Sequence, residues 1–532
     1  MKRRDFLQYL STATLLSSLP GCNLGVVPKK ISGSIVGANH QFGHLIRQAV
    51  SIPVHETIDK EVIIIGGGVS GLTAARELHR VGINNFALLE MHHTVGGNAV
   101  GGENKVSAFP WGAHYLPIPN LNQSELIQFL EEVGVISHWE NNVPYFNDDY
   151  LCYEPEERLF IRNHWQEGLI PDFGLADKDR QEIGRFLDLM HQFKEKTGTD
   201  GKPQFTIPIA HCSQDETFEA LNGQSFAEYV NQNNFQSPYL LWYLNYCCRD
   251  DYGTTLSETS AWAGIHYFAS RKGKAVNASD IDVLTWPEGN YWLIKQLSKT
   301  VVNHIISDQL VFKVKPHQDG VSVFSVNAST HTVTEYRSKK VILCTPQFIN
   351  SCILEGFPYF SLNHVLDYAP WMVANITLKS FPQKNGQELS WDNVIYQGYS
   401  LGYVNANHQT IKTVQDKLVF TFYQPLTEQD PKTERTFALE KSHDDWVKHI
   451  INELEIPHPG IAEYIENIDI WLWGHAMVRP KCGVINHPEL RQLTKYPDDR
   501  LYFAHSDMSG ISIFEEAFYH GTRAAKQLIA SL

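Results

Sequence analysis

The pattern of apolar and polar positions is most regular between residues 62 and 90. Val62-Ile63-Ile64-Ile65 is an unbroken β-branched apolar run, as in a strand covered on both faces within a parallel sheet. Gly66-Gly67-Gly68-Val69-Ser70-Gly71 follows at once, after which Leu72, Ala75, Leu78 and Val81 recur at helical spacing and Gly82 is placed to end the helix. Phe86-Ala87-Leu88-Leu89 predicts a second strand, closed by Glu90. Farther on, Leu310-Val311-Phe312-Lys313-Val314 and the alternating Val321-Ser322-Val323 predict two strands that lead into Lys340-Val341-Ile342-Leu343-Cys344. Near the end, Leu501-Tyr502-Phe503-Ala504 predicts a short strand. Ser512 with Glu515 three residues later forms a capping-box pattern, which starts the last helix at Ser512.

Strand, glycine turn, helix, strand and acid together make the first unit of a Rossmann-type α/β domain. Gly66 permits the tight turn, Gly68 lets the backbone approach a pyrophosphate, and Gly71 lets helix and strand pack closely. The helix N-terminus, including Ser70, offers unpaired amides and positive dipole to phosphates, and Glu90 is placed to hold ribose hydroxyls.

Composition supports a packed protein and narrows its partners. With 43% hydrophobic and 19% charged residues, the 532-residue chain falls among globular proteins of two or three domains, outside the disordered class. Its 44 Lys and Arg against 59 Asp and Glu give a net charge of −15, which argues against nucleic-acid binding. Residues 1–22 read as an address. Lys2-Arg3-Arg4-Asp5-Phe6-Leu7 before an apolar stretch resembles a twin-arginine export signal, and Leu19-Pro20-Gly21-Cys22 resembles a lipobox. The expectation is export to the periplasm or cell envelope, with membrane attachment only through a lipid on Cys22. No zinc-ligand cluster or haem-attachment signature occurs in the sequence, so no metal is expected.

Several motifs resemble the superfamily of flavin-containing amine oxidases and phytoene desaturases. After Glu90, the doublet Gly96-Gly97 is similar to the second glycine motif of those FAD proteins, with Asn98 where Arg is usual. Trp286-Pro287-Glu288-Gly289-Asn290, Lys340 to Pro346, Leu501 to Asp507 and Phe514 to Ala525 resemble its later segments. The resemblance implies FAD as cofactor, held by Gly66, Gly68, Ser70, Gly71, Glu90, Gly96, Gly97, Asn98, the Val311 backbone, Asp507, Glu515 and Ala517. It also implies a FAD-binding domain assembled from residues 60–115, 285–346 and 465–532, an inserted α+β substrate domain from 116–284 and 347–464, and an N-terminal arm over 23–59.

The implied activity is FAD-dependent oxidation of a small molecule, with hydride transfer from a substrate C–H to flavin N5 and reoxidation by O2, a quinone or a redox protein. Amines and polyamines are candidate substrates. A desaturase or isomerase acting on an apolar substrate and a non-catalytic flavin-binding factor are the alternatives. The two tyrosines that flank the flavin in monoamine oxidases fall at Ala476 and Ile513, so that aromatic cage is absent. His114 and His475 lie where the family's chain runs past the flavin and are candidates for the reaction centre or for structural roles.

Overall fold

The computed structural model describes residues 30–37, 39–47, 53–357, 362–379, 381, 388–410 and 416–532; the arginine pair and Cys22 lie outside them. Six elements bear on the site: β1 (Val54–Ile65), α1 (Val69–Arg80), β2 (Phe86–Leu89), α2 (Pro238–Tyr252), β3 (Ile465–Val478) and α3 (Phe514–Ile529).

The first sheet has β1 at its centre, with β2 and Val333–Leu343 parallel on either side. Ile305–Ile306 extends it past β2, Gly320–Asn327 and Gln309–His317 continue it as an antiparallel meander, and Leu501–Phe503 pairs in parallel with the end of Val333–Leu343. The apolar run Val62 to Ile65 is buried on both faces, as its composition requires. On one face α1 and α3 lie against each other. Their approach is backbone to backbone, because a Cβ on Gly521 would sit 2.4 Å from the Ser70 carbonyl oxygen.

The second sheet runs in the order Ile465–Val478, Tyr368–Leu378, Leu418–Pro425, Gly402–Asn405, Asp392–Ile395, Glu157–Ile161, His164–Glu167. The segment 465–532 therefore divides between the two sheets: β3 pairs in the second and Leu501–Phe503 in the first. A helical body of Asp177–Glu195, Phe226–Gln232, α2 and Ala261–Ala269 closes around Phe186, Phe205, Phe226 and Trp262. The N-terminal arm runs parallel to β3, with the Val36 amide donating to the Ile470 carbonyl (2.8 Å). Among the described residues, no helix is long and apolar enough to cross a membrane.

The turn from β1 into α1 tolerates no side chain at Gly71, where a Cβ would lie 1.9 Å from the Gly66 carbonyl oxygen. Gly71→Ala is expected to cost at least ~3 kcal/mol, because the clash is with backbone that has no room to move. Denaturant unfolding measures this loss; wild-type stability would show that the turn is not held by this contact.

Candidate active site

The parallel strands of the first sheet end together, and their carboxyl ends carry the glycine segments, the place where ligands bind in open α/β sheets. Gly66 turns the chain at φ +101°, and its amide donates to the Leu89 carbonyl (2.9 Å). The second glycine doublet meets the first there: the Gly96 amide donates to the Gly67 carbonyl (2.9 Å), and Gly68 bridges Gly96. A Cβ on Gly68 would meet only the Gly97 Cα, at 3.9 Å, so the two glycines face each other across a side-chain-free gap. The amides of Val69, Ser70 and Gly71 open into α1 without intrahelical acceptors. Glu90 accepts the Gly67 amide (2.7 Å) and the His92 amide (2.8 Å), and burial raises its pKa. The Gln309 amide donates to the Glu90 carbonyl (2.8 Å), which sets Val311 two residues along the neighbouring strand. This arrangement fits an adenine dinucleotide: a bare backbone cradle for two phosphates, with a carboxylate beside it.

Four residues expected at the cofactor also tie the protein's own segments together. The Ser70 hydroxyl donates to the Ala517 carbonyl (2.8 Å), so both join α1 to α3 and Ser70 offers the cradle only its amide. Asp507 accepts the Gln347 amide (2.8 Å) and the Tyr368 hydroxyl (2.6 Å), with His505 Nδ1 at 3.0 Å. Burial pushes the Asp507 pKa up, but these partners, His505 foremost, outweigh it and hold it below the usual range. Its carboxylate thus fixes the loop backbone. The Asn98 side-chain amide donates to the Ala476 carbonyl, which links the cradle to β3.

The last helix does not begin at Ser512. It begins at Phe514 after an extended Ile513, and the Ser512 hydroxyl accepts the Val478 amide (3.0 Å) instead. The competing donor is on β3, a tertiary neighbour that a local capping pattern does not register. Glu516 accepts the Ile209 amide (2.6 Å) and the Ser509 hydroxyl (2.5 Å), which leaves Glu515 on the cavity wall. Burial pushes the Glu515 pKa up to about 7.

A cavity opens beside the cradle between the two sheets and the helical body, and Asn98, Ala476, Ile513 and Glu515 are in its wall. Of the two candidate histidines, the structure brings His114 to this wall and leaves His475 outside it. His114 stacks on Tyr423 (4.6 Å between ring centroids), and burial lowers its pKa to about 4, so the ring is neutral. His475 packs on Phe348 (4.6 Å), its pKa lowered to about 4 by burial and then by Arg435, Arg47 and His44. Positions 476 and 513 both reach the cavity, but they bring no tyrosine. Tyr423, Trp371, Trp473 and Tyr267 form the aromatic wall.

Sequence reasoning missed the charged part. Asp250 and Asp251, at the end of α2, face the cavity with Arg271. Arg271 lies 3.3 Å from Asp251, and Tyr115 donates to Asp251 (3.2 Å). Burial, then Asp251, pushes the Asp250 pKa up to about 8. Two further wall atoms, Trp371 Nε1 and Asn290 Oδ1, are buried without hydrogen-bond partners, a donor and an acceptor open to a ligand.

A dinucleotide cradle with an aromatic, acidic cavity at its end defines a FAD-dependent oxidoreductase. The chain belongs to the family of flavin-containing amine oxidoreductases, whose profile matches residues 69–529. It is 24% identical over 546 residues to the oxidoreductase PigB of Serratia sp. (strain ATCC 39006), covering 91% of this chain and 76% of that protein. Its fold is similar to that of a putrescine oxidase double mutant (TM-score 0.65, 17% identity, 89% of this chain and 100% of that one). It is also similar to cyclohexylamine oxidase from Brevibacterium oxydans IH-35A (TM-score 0.63, 13% identity, 89% and 99%).

Gly68→Leu tests the cradle, since its Cβ has room while the longer side chain fills the gap. The expected protein is folded, with unfolding temperature equal to that of wild-type apoprotein, and colourless. Full flavin absorbance in the folded variant would place the phosphates elsewhere.

Proposed function

We propose that this enzyme oxidises a cationic amine at the carbon next to nitrogen. FAD supplies a hydride acceptor at N5. The chain's own residues bind the ammonium, orient the C–H bond and shield the site from water.

One observation carries this reading: Asp250, Asp251 and Glu515 share the cavity with Arg271, the only guanidinium or ammonium among the described residues of its wall. Burial raises the pKa of all three carboxyls, so without a ligand part of this group is protonated near neutrality. An incoming ammonium supplies the opposite charge and stabilises the ionised form. The aromatic wall accommodates an apolar group on the same substrate, and the neutral His114 adds no competing positive charge. The amine oxidases of similar fold support the same substrate class.

Anaerobic titration of the yellow holoenzyme with monoamines, polyamines and apolar polyenes tests the reading. Bleaching of the visible band by amines is the expected result; bleaching by polyenes alone would overturn it. The role of Asp250 is read separately with a permanent cation, benzyltrimethylammonium, as a non-reacting ligand. Its affinity should rise with pH through about 8, as Asp250 ionises, by up to ~10-fold per pH unit below that value. In Asp250→Asn the part of the rise around pH 8 should flatten, leaving the part that follows Glu515 near pH 7, and binding at pH 9 should weaken at least ~10-fold. An unchanged pH profile in the variant would remove Asp250 from the site.

Reoxidation by O2, a quinone or a redox protein completes the proposed cycle, and the arginine pair at Arg3 and Arg4 supports export from the cytoplasm. Lys at both positions keeps the charge and is expected to leave the holoprotein in the cytoplasm. Fractionation that recovers the double variant unchanged in the envelope would refute twin-arginine export.

A further inference from the structure

We propose that the N-terminal arm is part of the cofactor site and that Arg47 supplies the FAD diphosphate with the positive charge absent at Asn98. The arm is held at both ends of its described course. Ser32 to Val36 follow β3, and Gly33 and Gly37 lie so close that a Cβ would fall 1.8 Å from the Ile468 carbonyl oxygen and 1.7 Å from the Trp471 ring. Asn39 then accepts the Phe42 amide (3.0 Å) and starts a short turn, His40–Gly43 followed by His44–Arg47.

That turn lies over the cofactor groove. Phe42 is buried in a cluster with Leu310, Val326 and Met91, and a Cβ on Gly43 would be 3.5 Å from the Met91 sulfur. Met91 follows Glu90, the carboxylate beside the cradle. Residues His44–Arg47 pack against Gln309–His317 and against the helix Gln347–Ile353, whose first amide Asp507 holds.

Arg47 is exposed, and among the described residues it has no hydrogen bond or ion pair. Its charge acts on His475 and on Arg435, while His475 is next in the chain to Ala476, whose carbonyl takes the Asn98 amide. Among the described residues Arg435 is bound by the Tyr368 and Gly474 carbonyls alone (3.1 and 3.3 Å), and the nearby Asp367 is already paired with Arg479 (2.7 Å) and Lys481 (3.0 Å). Two guanidiniums thus lie on the His475 face of β3 with no carboxylate of their own among the described residues, and fully buried Gln347, on the helix against which His44–Arg47 packs, leaves its Nε2 without an acceptor. Positive charge gathered around a bare glycine cradle calls for a polyanion, and a diphosphate is the one the cradle accepts.

The test is made on the holoenzyme. FAD release after dilution, followed by the rise of flavin fluorescence, should accelerate at least tenfold in Arg47→Gln and be partly restored in Arg47→Lys. When emptied protein is refilled, ADP should compete with FAD better than adenosine does in wild type, and Arg47→Gln should lose that advantage. Release at the wild-type rate would overturn the proposal. Equal weakening of ADP and adenosine would do so too, because it would mean that Arg47 merely docks the arm.

Discussion

Close backbone approach around the first glycine segment is the constraint on which the rest of the molecule depends. Gly71 sits against the Gly66 carbonyl, Gly68 faces Gly97, and Gly521 of α3 sits on the Ser70 carbonyl. The contacts at Gly71 and Gly521 leave no room even for a Cβ, and the gap between Gly68 and Gly97 holds no side chain, so strand, first helix and last helix are fixed by backbone contact and the second glycine loop faces them across a bare gap. The cavity inherits that precision, because Asn98 and Glu515 reach its wall directly from these segments. A gap lined by main chain, where amides are already aimed and no rotamer has to be ordered, suits phosphates.

Much of this cradle is legible in the sequence because its chemistry is local. Glycine at positions 66, 68 and 71, an apolar run before them and an acid after the next strand each report a backbone requirement within about thirty residues. The cavity is a different matter. Asp250 and Asp251 end a helix of mixed aromatic and polar composition, where carboxylates commonly face solvent; what brings them inside is Arg271, twenty residues on, and Tyr115 from another strand. Ser512 departs from its motif for the same reason in reverse: the capping pattern is sound locally, but its hydroxyl takes the Val478 amide from a tertiary neighbour, as Asp507 gives one carboxylate oxygen to the Gln347 amide and the Tyr368 hydroxyl. His475 was misplaced by one residue of strand geometry: Ala476 reaches the cavity, and its neighbour turns to Phe348.

The electrostatics of the two halves are opposed. At the cradle the helix dipole of α1 offers positive potential, and on the outer face of β3 burial, then Arg435 and Arg47, lowers the pKa of His475. Across β3, the cavity holds three carboxyls whose pKa values burial has raised. At low dielectric such fields do not average out over the short distance between them. β3 runs between the two regions, with Ala476 turned to the cavity and His475 to the other face.

The same opposition accounts for what varies and what does not. Fold similarity to putrescine oxidase and cyclohexylamine oxidase holds at 13–17% identity, because backbone cradles need only glycine at a few positions and apolar strands beneath them. Side chains in the cavity carry no such constraint from the fold. The absence of tyrosine at 476 and 513 is balanced by Tyr423, whose hydroxyl donates to the Gly112 carbonyl (2.9 Å) and whose ring stacks on His114. An aromatic wall anchored through main chain is rigid without the paired tyrosines. It leaves positions 476 and 513 small or aliphatic, and the polar selectivity of the cavity falls to the carboxyls at the end of α2.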